Sequence, residues 1–160
     1  MKALKSFLLI ASVGVLFTFS NCGGGGSTPE PVADQQLAKL SKTWKLNTVT
    51  LGTADKKASY PSFVLTISGT KGQTSFGYKT TGNPTVKSVW KGNGSWSFGA
   101  DPKTMLIRDP SITTDKLEMS YVVSETTLQI IFTFPDTLPG YDNQGRAEVV
   151  TGIWTFTFGL

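Results

Sequence analysis

Residues 117–134 read LEMSYVVSETTLQIIFTF, and this stretch decides the fold class. Apolar side chains occupy alternate positions on both sides of the short polar segment Ser124–Thr126. Alternation with a period of two is typical of a β-strand that buries one face and exposes the other. A short polar segment between two such runs is typical of a tight connection. The stretch therefore predicts two neighbouring antiparallel strands.

The same alternation extends in both directions along the chain. It occurs at Phe63–Ile67, at Phe76–Tyr78, at Trp96–Phe98, at Met105–Ile107 and at Val150–Phe158. The intervening polar positions, such as Thr66, Lys79 and Gln129, are expected to face water. This spacing of short strands and turns predicts an all-β antiparallel meander of about eight or nine strands. A twisted meander of this size tends to close into a barrel, which removes its exposed edges; a two-sheet sandwich is the rival architecture.

Two irregular positions stand out within these runs. In the segment Thr43–Leu51, the apolar alternation changes phase between Trp44–Leu46 and Val49–Leu51, which predicts a β-bulge or a bend. Val86, Ser88 and Trp90 lead into Gly92–Gly94, and that glycine-rich triplet predicts a hairpin turn because its residues tolerate positive φ.

A short helix is expected before the first strand. From Pro31 to Lys42 the apolar side chains are spaced as a narrow helical stripe, which includes Leu37 and Leu40. Proline suits the first position of a helix because its φ is fixed near the helical value. The stripe is narrow, which favours packing against the domain itself.

The composition excludes several classes of function. The chain of 160 residues has no histidine and one cysteine, while 16% of its residues are charged. Without histidine the commonest general base and the commonest transition-metal ligand are absent, and a single cysteine cannot form an internal disulfide. The cations are scattered, so we expect no nucleic-acid partner.

The amino terminus has the pattern of a secretory signal. Lys2 and Lys5 precede the uncharged run Ser6–Ser20, which is shorter than a membrane span needs to be. The run stops at the only cysteine, Cys22, in the sequence Phe19-Ser20-Asn21-Cys22. This arrangement resembles a bacterial lipoprotein signal of the relaxed type found in Bacteroidota. The resemblance implies cleavage before Cys22 and attachment of lipid to its sulfur.

These patterns divide the chain into three parts. Residues 1–21 are expected to be a removed lipoprotein signal, residues 22–36 a lipidated cysteine and a flexible Gly/Pro tether, and residues 37–160 the β-barrel domain. Acyl chains bury methylenes at about 0.8 kcal/mol each, so several chains anchor a domain stably. No acidic residue lies between Cys22 and Glu30. Surface-exported lipoproteins of Bacteroidota often carry such residues, so the periplasmic face of the outer membrane is favoured over the cell surface.

Several segments are similar to the lipocalin-like lipoproteins of Bacteroidota. They are Leu40–Leu46 with its Thr-Trp-Lys motif, Gly94–Phe98 with its Gly-x-Trp-x-Phe motif, the stretch 117–134, and the closing Gly152–Phe158. The resemblance implies a calycin-type barrel on a lipid anchor. In true lipocalins the tryptophan of the first strand packs on a late arginine; Trp44 fits that tryptophan, and Arg108 and Arg146 are the candidates for its partner.

Two functions remain open at this point. One is a carrier whose barrel binds a small apolar or amphiphilic ligand, and the other is a structural or accessory lipoprotein whose filled barrel docks on an outer-membrane protein. An eight-stranded barrel has room for a packed core or for one small ligand. A weaker third idea is glycan capture on exposed indole rings.

The candidate residues follow from these alternatives. Trp44 and Trp154 are expected to fill the core, while Trp90 and Trp96 flank a glycine-rich turn where an exposed stacking platform is plausible. Tyr60 and Tyr141 lie in the two long connections and are further candidates for ligand or glycan contacts. Oxygen ligands for calcium are available at Asp142, Asn143 and Glu148, but their spacing matches no standard loop. No metal or cofactor is expected.

Catalysis is not expected either. The candidate carboxylates are Asp101, Asp109, Asp115, Glu118, Glu125, Asp136 and Asp142. All but Glu118, which alternation places on an outward strand face, fall at predicted turns or strand ends. A glycosidase needs two carboxylates held across a cleft. Nothing in the sequence fixes such a pair, so we expect a protein that is not an enzyme.

Overall fold

The computed structural model describes residues 28–85, 87–138, 140–142 and 150–160. These residues form a mostly β structure with one α-helix, α1 (Val32–Leu40), and a 3-10 turn at Lys57–Ser59. The strands are β1 (Thr43–Leu51), β2 (Ala54–Asp55), β3 (Val64–Ser68), β4 (Phe76–Thr81), β5 (Lys87–Ser88), β6 (Asn93–Phe98), β7 (Met105–Arg108), β8 (Leu117–Val123), β9 (Thr127–Phe134), β10 (Tyr141–Asp142) and β11 (Gly152–Gly159).

Eight of these strands form a closed antiparallel barrel. The order is β1-β3-β4-β6-β7-β8-β9-β11, and β11 pairs back on β1 from Lys45 opposite Gly159 to Leu51 opposite Trp154. The short β2 is an extra strand paired with the end of β1. The all-β antiparallel barrel and the preceding helix predicted from the sequence are therefore confirmed, and the sandwich alternative is excluded.

The bulge predicted in the first strand is confirmed. The register of β1 against β11 shifts between Leu46 and Thr48, so one extra residue is accommodated there. The shift returns Val49 to the interior, where its side chain is fully buried. The phase change in the sequence thus keeps one face of a long strand apolar along its whole length.

The hairpin predicted at Gly92–Gly94 is wrong. β5 has two residues and pairs with β10, whereas β6 begins at Asn93 and pairs with β4, Gly94 lying opposite Tyr78. Neither Gly92 nor Gly94 has a positive φ. Gly94 is needed for space instead, because a Cβ there would lie 2.5 Å from Oδ1 of Asp109 and 2.6 Å from the Tyr78 ring.

Aromatic rings fill much of the barrel interior. Phe132 and Phe156 are stacked with ring centroids 5.9 Å apart, and Trp90 meets both of them edge to face. Edge-to-face and offset contacts are the favoured geometries of aromatic pairs, and each large ring removes much apolar surface from water. The interior is consequently a packed core.

Helix α1 covers one end of the barrel, which we call the helix end. Leu37 and Leu40 are buried there, and the indole Nε1–H of Trp44 donates a 2.9 Å hydrogen bond to the Leu40 carbonyl oxygen. Val32, expected on the same stripe, is 39% exposed because it lies in the first turn, away from the barrel. The opposite end contains the described connecting residues 52–63, 82–85, 89–92, 109–116, 135–138 and 150–151.

Candidate functional site

Arg108, at the opposite end from the helix, is a fully buried charged residue. It is the last residue of β7, and strand alternation directs its side chain inward after the buried Leu106. Its Nη1 donates to the Val89 carbonyl oxygen at 2.6 Å, and its Nη2 donates to the Tyr141 hydroxyl at 3.0 Å. A buried charge is costly unless it is paired and hydrogen-bonded, so these contacts are required for the fold.

Two aromatic rings enclose the same guanidinium. Its central carbon lies 5.7 Å from the ring centroid of Trp90 and 5.4 Å from that of Tyr141. Both distances are within the range of cation–π attraction, which is strongest where water is excluded. Arg108 therefore joins the barrel core to the connection that contains Tyr141.

Asp109 provides the negative charge next to Arg108. Its Oδ2 lies 3.7 Å from Nε of Arg108 and 3.6 Å from Nζ of Lys91, while its Oδ1 accepts a 3.0 Å hydrogen bond from the Ser95 N–H. Asp109 has a φ of 48°, a left-handed conformation that Asp tolerates better than most residues. This backbone turn allows consecutive residues to direct their side chains into one cluster.

A second ion pair completes the cluster. Lys91 binds Asp115, and the Tyr141 hydroxyl donates to the other oxygen of that carboxylate at 3.1 Å. The hydrogen bond from Lys91 is the main reason that the pKa of Asp115 is lowered. Burial raises the pKa of Tyr141 to about 12, so its hydroxyl stays protonated at neutral pH.

We call Tyr78, Lys91, Arg108, Asp109, Asp115 and Tyr141 the Arg108 cluster. Its two cations are matched by two carboxylates, so the cluster carries no excess charge. Tyr78 joins it through a 3.4 Å hydrogen bond from its hydroxyl to Oδ2 of Asp109. The arrangement ties three connections at this end of the barrel to strands β4 and β7.

The interior cavity beside the cluster is very small. It has a volume of about 10 Å3 and is lined by Leu65, Ile67, Tyr78, Trp90, Trp96, Leu106, Arg108, Met119 and Ile130. Ligand sites for small molecules usually occupy several hundred cubic ångströms. This cavity therefore has space for about one water molecule.

The residues expected to contact a ligand or glycan are mostly buried. Trp90 and Trp96 are 2% and 3% exposed, so the exposed platform expected beside the glycine-rich segment is not formed. Tyr60 is buried against Phe63 and Phe156, with ring centroids 5.4 Å away in both cases. Of the four candidates only Tyr141 is partly exposed, and its hydroxyl is bound within the Arg108 cluster.

The tryptophans expected in the core are there. Trp44 and Trp154 are both buried, and the indole Nε1–H of Trp154 donates to the Val150 carbonyl oxygen at 2.7 Å. Arg108 does not pack on Trp44, because the two residues lie at opposite ends of the barrel. A lysine takes that place: Nζ of Lys42 lies 5.7 Å from the Trp44 ring centroid.

The sequence reasoning missed most of the Arg108 cluster. Asp109 and Asp115 are assigned from the sequence to turns or strand ends and Tyr78 to an alternating strand, while Lys91 is given no role. The alternation at Met105 and Ile107 predicts an outward Arg108, and this phase is wrong: the structure buries Leu106 and Arg108 and places Met105 and Ile107 on the outer face. Which distant residues contact Arg108 and Asp109 depends on the register of the barrel strands. Neither the composition nor the spacing of apolar residues determines that register.

The outer face of the barrel differs from one side to the other. We call the outward side chains of β7, β8, β9 and β11 the neutral wall; they are Met105, Ile107, Glu118, Ser120, Val122, Thr127, Gln129, Ile131, Thr133, Ile153, Thr155 and Thr157. Only Glu118 is charged among them. Val122 and Ile153 are 69% and 56% exposed. Open grooves of about 480 and 190 Å3 cross this face on either side of Ile131.

Several sequence-based expectations fall outside the described residues. These are the signal and Cys22, the partner candidate Arg146, the calcium candidates Asn143 and Glu148, and the side chain of Asp142. Within the part of the chain that the structure describes, no three acidic or cysteine side chains are grouped as a metal site. The same part contains no helix that is both long and apolar enough to cross a membrane.

Comparison with known proteins adds no family. No protein-family model matches the chain. A search of curated proteins finds no significant match either. The assignment of function therefore depends on the sequence pattern and the geometry of the barrel.

Proposed function

We propose that this protein is an outer-membrane lipoprotein, anchored through Cys22, whose filled calycin-like barrel docks on a protein partner. In this proposal it resembles the lipocalin-like lipoproteins of Bacteroidota in fold and anchoring, and it acts as an accessory module. The observation that carries the proposal is the small size of the cavity among the core side chains, about 10 Å3, which is too small for a lipid or pigment.

The contacts that the described residues make at the two barrel ends support the same choice. Helix α1 covers one end through Leu37 and Leu40, and the Arg108 cluster ties down the connections at the other. A ligand carrier needs an entrance and a cavity. The accessory role needs neither, because a filled barrel can bind a protein partner through its outer surface.

The neutral wall is the face that we assign to the partner. Its side chains are mostly apolar or hydroxyl-bearing, and Glu118 is the one charged residue among them. Binding to an anionic membrane surface or to a nucleic acid requires clustered cations instead. An uncharged protein surface with apolar side chains complements it best. Exposed apolar patches that are rimmed by polar residues commonly mark protein–protein contacts.

The docking test uses the full chain in its own membranes. A photo-crosslinking residue is placed at Val122 or Ile153 on the neutral wall, with Ser68, exposed on the far side of the barrel, as the matched control. We expect one discrete protein adduct from the first two positions, none from Ser68, and loss of the adduct in I131K. Equal adducts from all three positions, or none, would contradict the assignment.

Native mass spectrometry of the protein purified from its own membranes separates the two main functions. A co-purifying protein supports the accessory role, and a stoichiometric co-purifying small molecule overturns it in favour of the carrier. The anchor is tested separately by metabolic labelling with an alkyne fatty acid. We expect labelling of the wild-type protein and none of C22S; an unlabelled wild type would remove the anchor from the proposal.

A further inference from the structure

Three of the four indole groups donate to main-chain carbonyl oxygens. Trp44 donates to Leu40, Trp154 to Val150, and Trp96 to Gly77 at 3.1 Å. Trp90 differs, since its Nε1 is buried without a hydrogen-bond partner among the described residues. A buried donor without an acceptor is costly, so an acceptor is to be expected.

A second unmatched donor lies in the same place. Nε of Arg108 is also buried without a hydrogen-bond partner in the described part of the chain, although Oδ2 of Asp109 lies 3.7 Å away. Trp90 and Arg108 both line the interior cavity of about 10 Å3. Two donors and one small cavity thus occur together beside the Arg108 cluster.

Acceptors for further hydrogen bonds are close to these donors. Tyr78 lines the cavity, and its hydroxyl oxygen lies 3.4 Å from Oδ2 of Asp109. The separation of 3.7 Å between Nε of Arg108 and Oδ2 of Asp109 is longer than a hydrogen bond, and a water molecule beside both groups can supply the missing partner. A buried water molecule typically makes two to four hydrogen bonds, which this set of groups can supply.

We propose that the cavity is a specific binding site for one neutral oxygen acceptor, a single internal water molecule held by Trp90 Nε1–H and Arg108 Nε–H. The water accepts from these two donors and donates to Tyr78 Oη or Asp109 Oδ2. Water is favoured over a halide because Arg108 and Lys91 are already balanced by Asp109 and Asp115, so an added anion would leave a negative charge uncompensated in the core. This site is independent of the docking function.

The solution test is a pair of water-selective NOE and ROE spectra of the full domain. We expect cross-peaks between the water frequency and both the Trp90 Hε1 and Arg108 Hε protons, with the opposite NOE and ROE signs of a long-lived bound water. The Hε1 protons of Trp44, Trp96 and Trp154 are the internal controls and should show no such peaks. Absence of the peaks at Trp90 and Arg108, or peaks at only one of them, would overturn the site.

The identity of the occupant is tested by titration with sodium bromide. For water, the Trp90 Hε1 and Arg108 Hε chemical shifts should not change beyond the small drift seen at the three control indoles. A saturable shift confined to these two protons would show that an anion occupies the cavity, which overturns the proposal.

Discussion

Nη2 of Arg108 donates a 3.0 Å hydrogen bond to the hydroxyl of Tyr141, a residue 33 positions later in the chain. This contact joins the end of β7 to the small sheet of β5 and β10, in which Tyr141 is paired with Ser88. It fixes Tyr141, a residue of the connection after β9, onto the barrel.

Replacement of Tyr141 by phenylalanine tests that contact. Y141F removes the acceptor for a buried guanidinium and the donor to Asp115, while the ring remains. Loss of a hydrogen bond to a buried charge costs about 1–3 kcal/mol, and we expect a decrease of that size in the free energy of unfolding, measured with urea. Y121F, which removes a neutral hydrogen bond to Pro102, is the control and should cost less. A Y141F protein as stable as the wild type would contradict this role.

Arg108 and Asp109 are expected to be energetically coupled. R108M removes the buried positive charge and leaves Asp109 with only Lys91 as a cationic partner, and breaking a buried pair in this way typically costs about 3–5 kcal/mol. D109N keeps the acceptor for Ser95 and tolerates the positive φ. We expect the double variant to be less destabilised than the sum of the single variants, as measured by a urea double-mutant cycle. Additive effects would show that the two side chains are independent.

Gly94 and Gly92 form a matched pair for substitution. A methyl group at Gly94 would approach Asp109 and Tyr78 within 2.6 Å, whereas one at Gly92 meets nothing within 4 Å. We expect G94A to lose about 1–3 kcal/mol of stability through overpacking and G92A to remain close to the wild type in thermal unfolding. Equal effects at both positions would refute the packing explanation for Gly94.

Asp115 makes stability dependent on pH. Its pKa is lowered in the folded protein, first through the hydrogen bond from Lys91, so its stabilising effect is complete above the unfolded pKa of about 4. The effect is lost as the pH falls through the lower folded value. We therefore expect the stability advantage of wild type over D115N to be largest at neutral pH and to shrink on acidification below about pH 4. Urea midpoints across this range measure it, with D136N in an exposed turn as the control; parallel wild-type and D115N profiles would contradict it.

The parts of the fold that depend on the alternation of apolar and polar residues within one strand could be predicted from the sequence. Alternation identified β3, β8, β9 and β11, and a change of phase located the bulge near Leu46. The segment 92–94 was wrongly predicted to be a hairpin turn. The residue type alone does not show whether a glycine is needed for a turn or, as at Gly94, to avoid a steric clash. Only the register, which places Gly94 opposite Tyr78, distinguishes the two.

The candidate site was less predictable for a related reason. Lys91, Arg108, Asp115 and Tyr141 come from four separate segments, and no local pattern connects them. The burial of Trp90 and Trp96 could not be read from flanking glycines either. Whether a tryptophan ring is exposed for stacking or buried in the core depends on which other strands and connections pack against it.

The pairing of β1 with β11 joins Lys45 to Gly159, two residues from nearly opposite ends of the described chain. A chain leaves the ribosome amino terminus first, so the ring of backbone hydrogen bonds stays open until β11 has been synthesised. Contacts so distant in sequence slow folding, because the entropy of closing the intervening loop is lost before they form. Premature termination anywhere before β11 would therefore leave both β1 and β9 as unpaired edges, and such a product should aggregate.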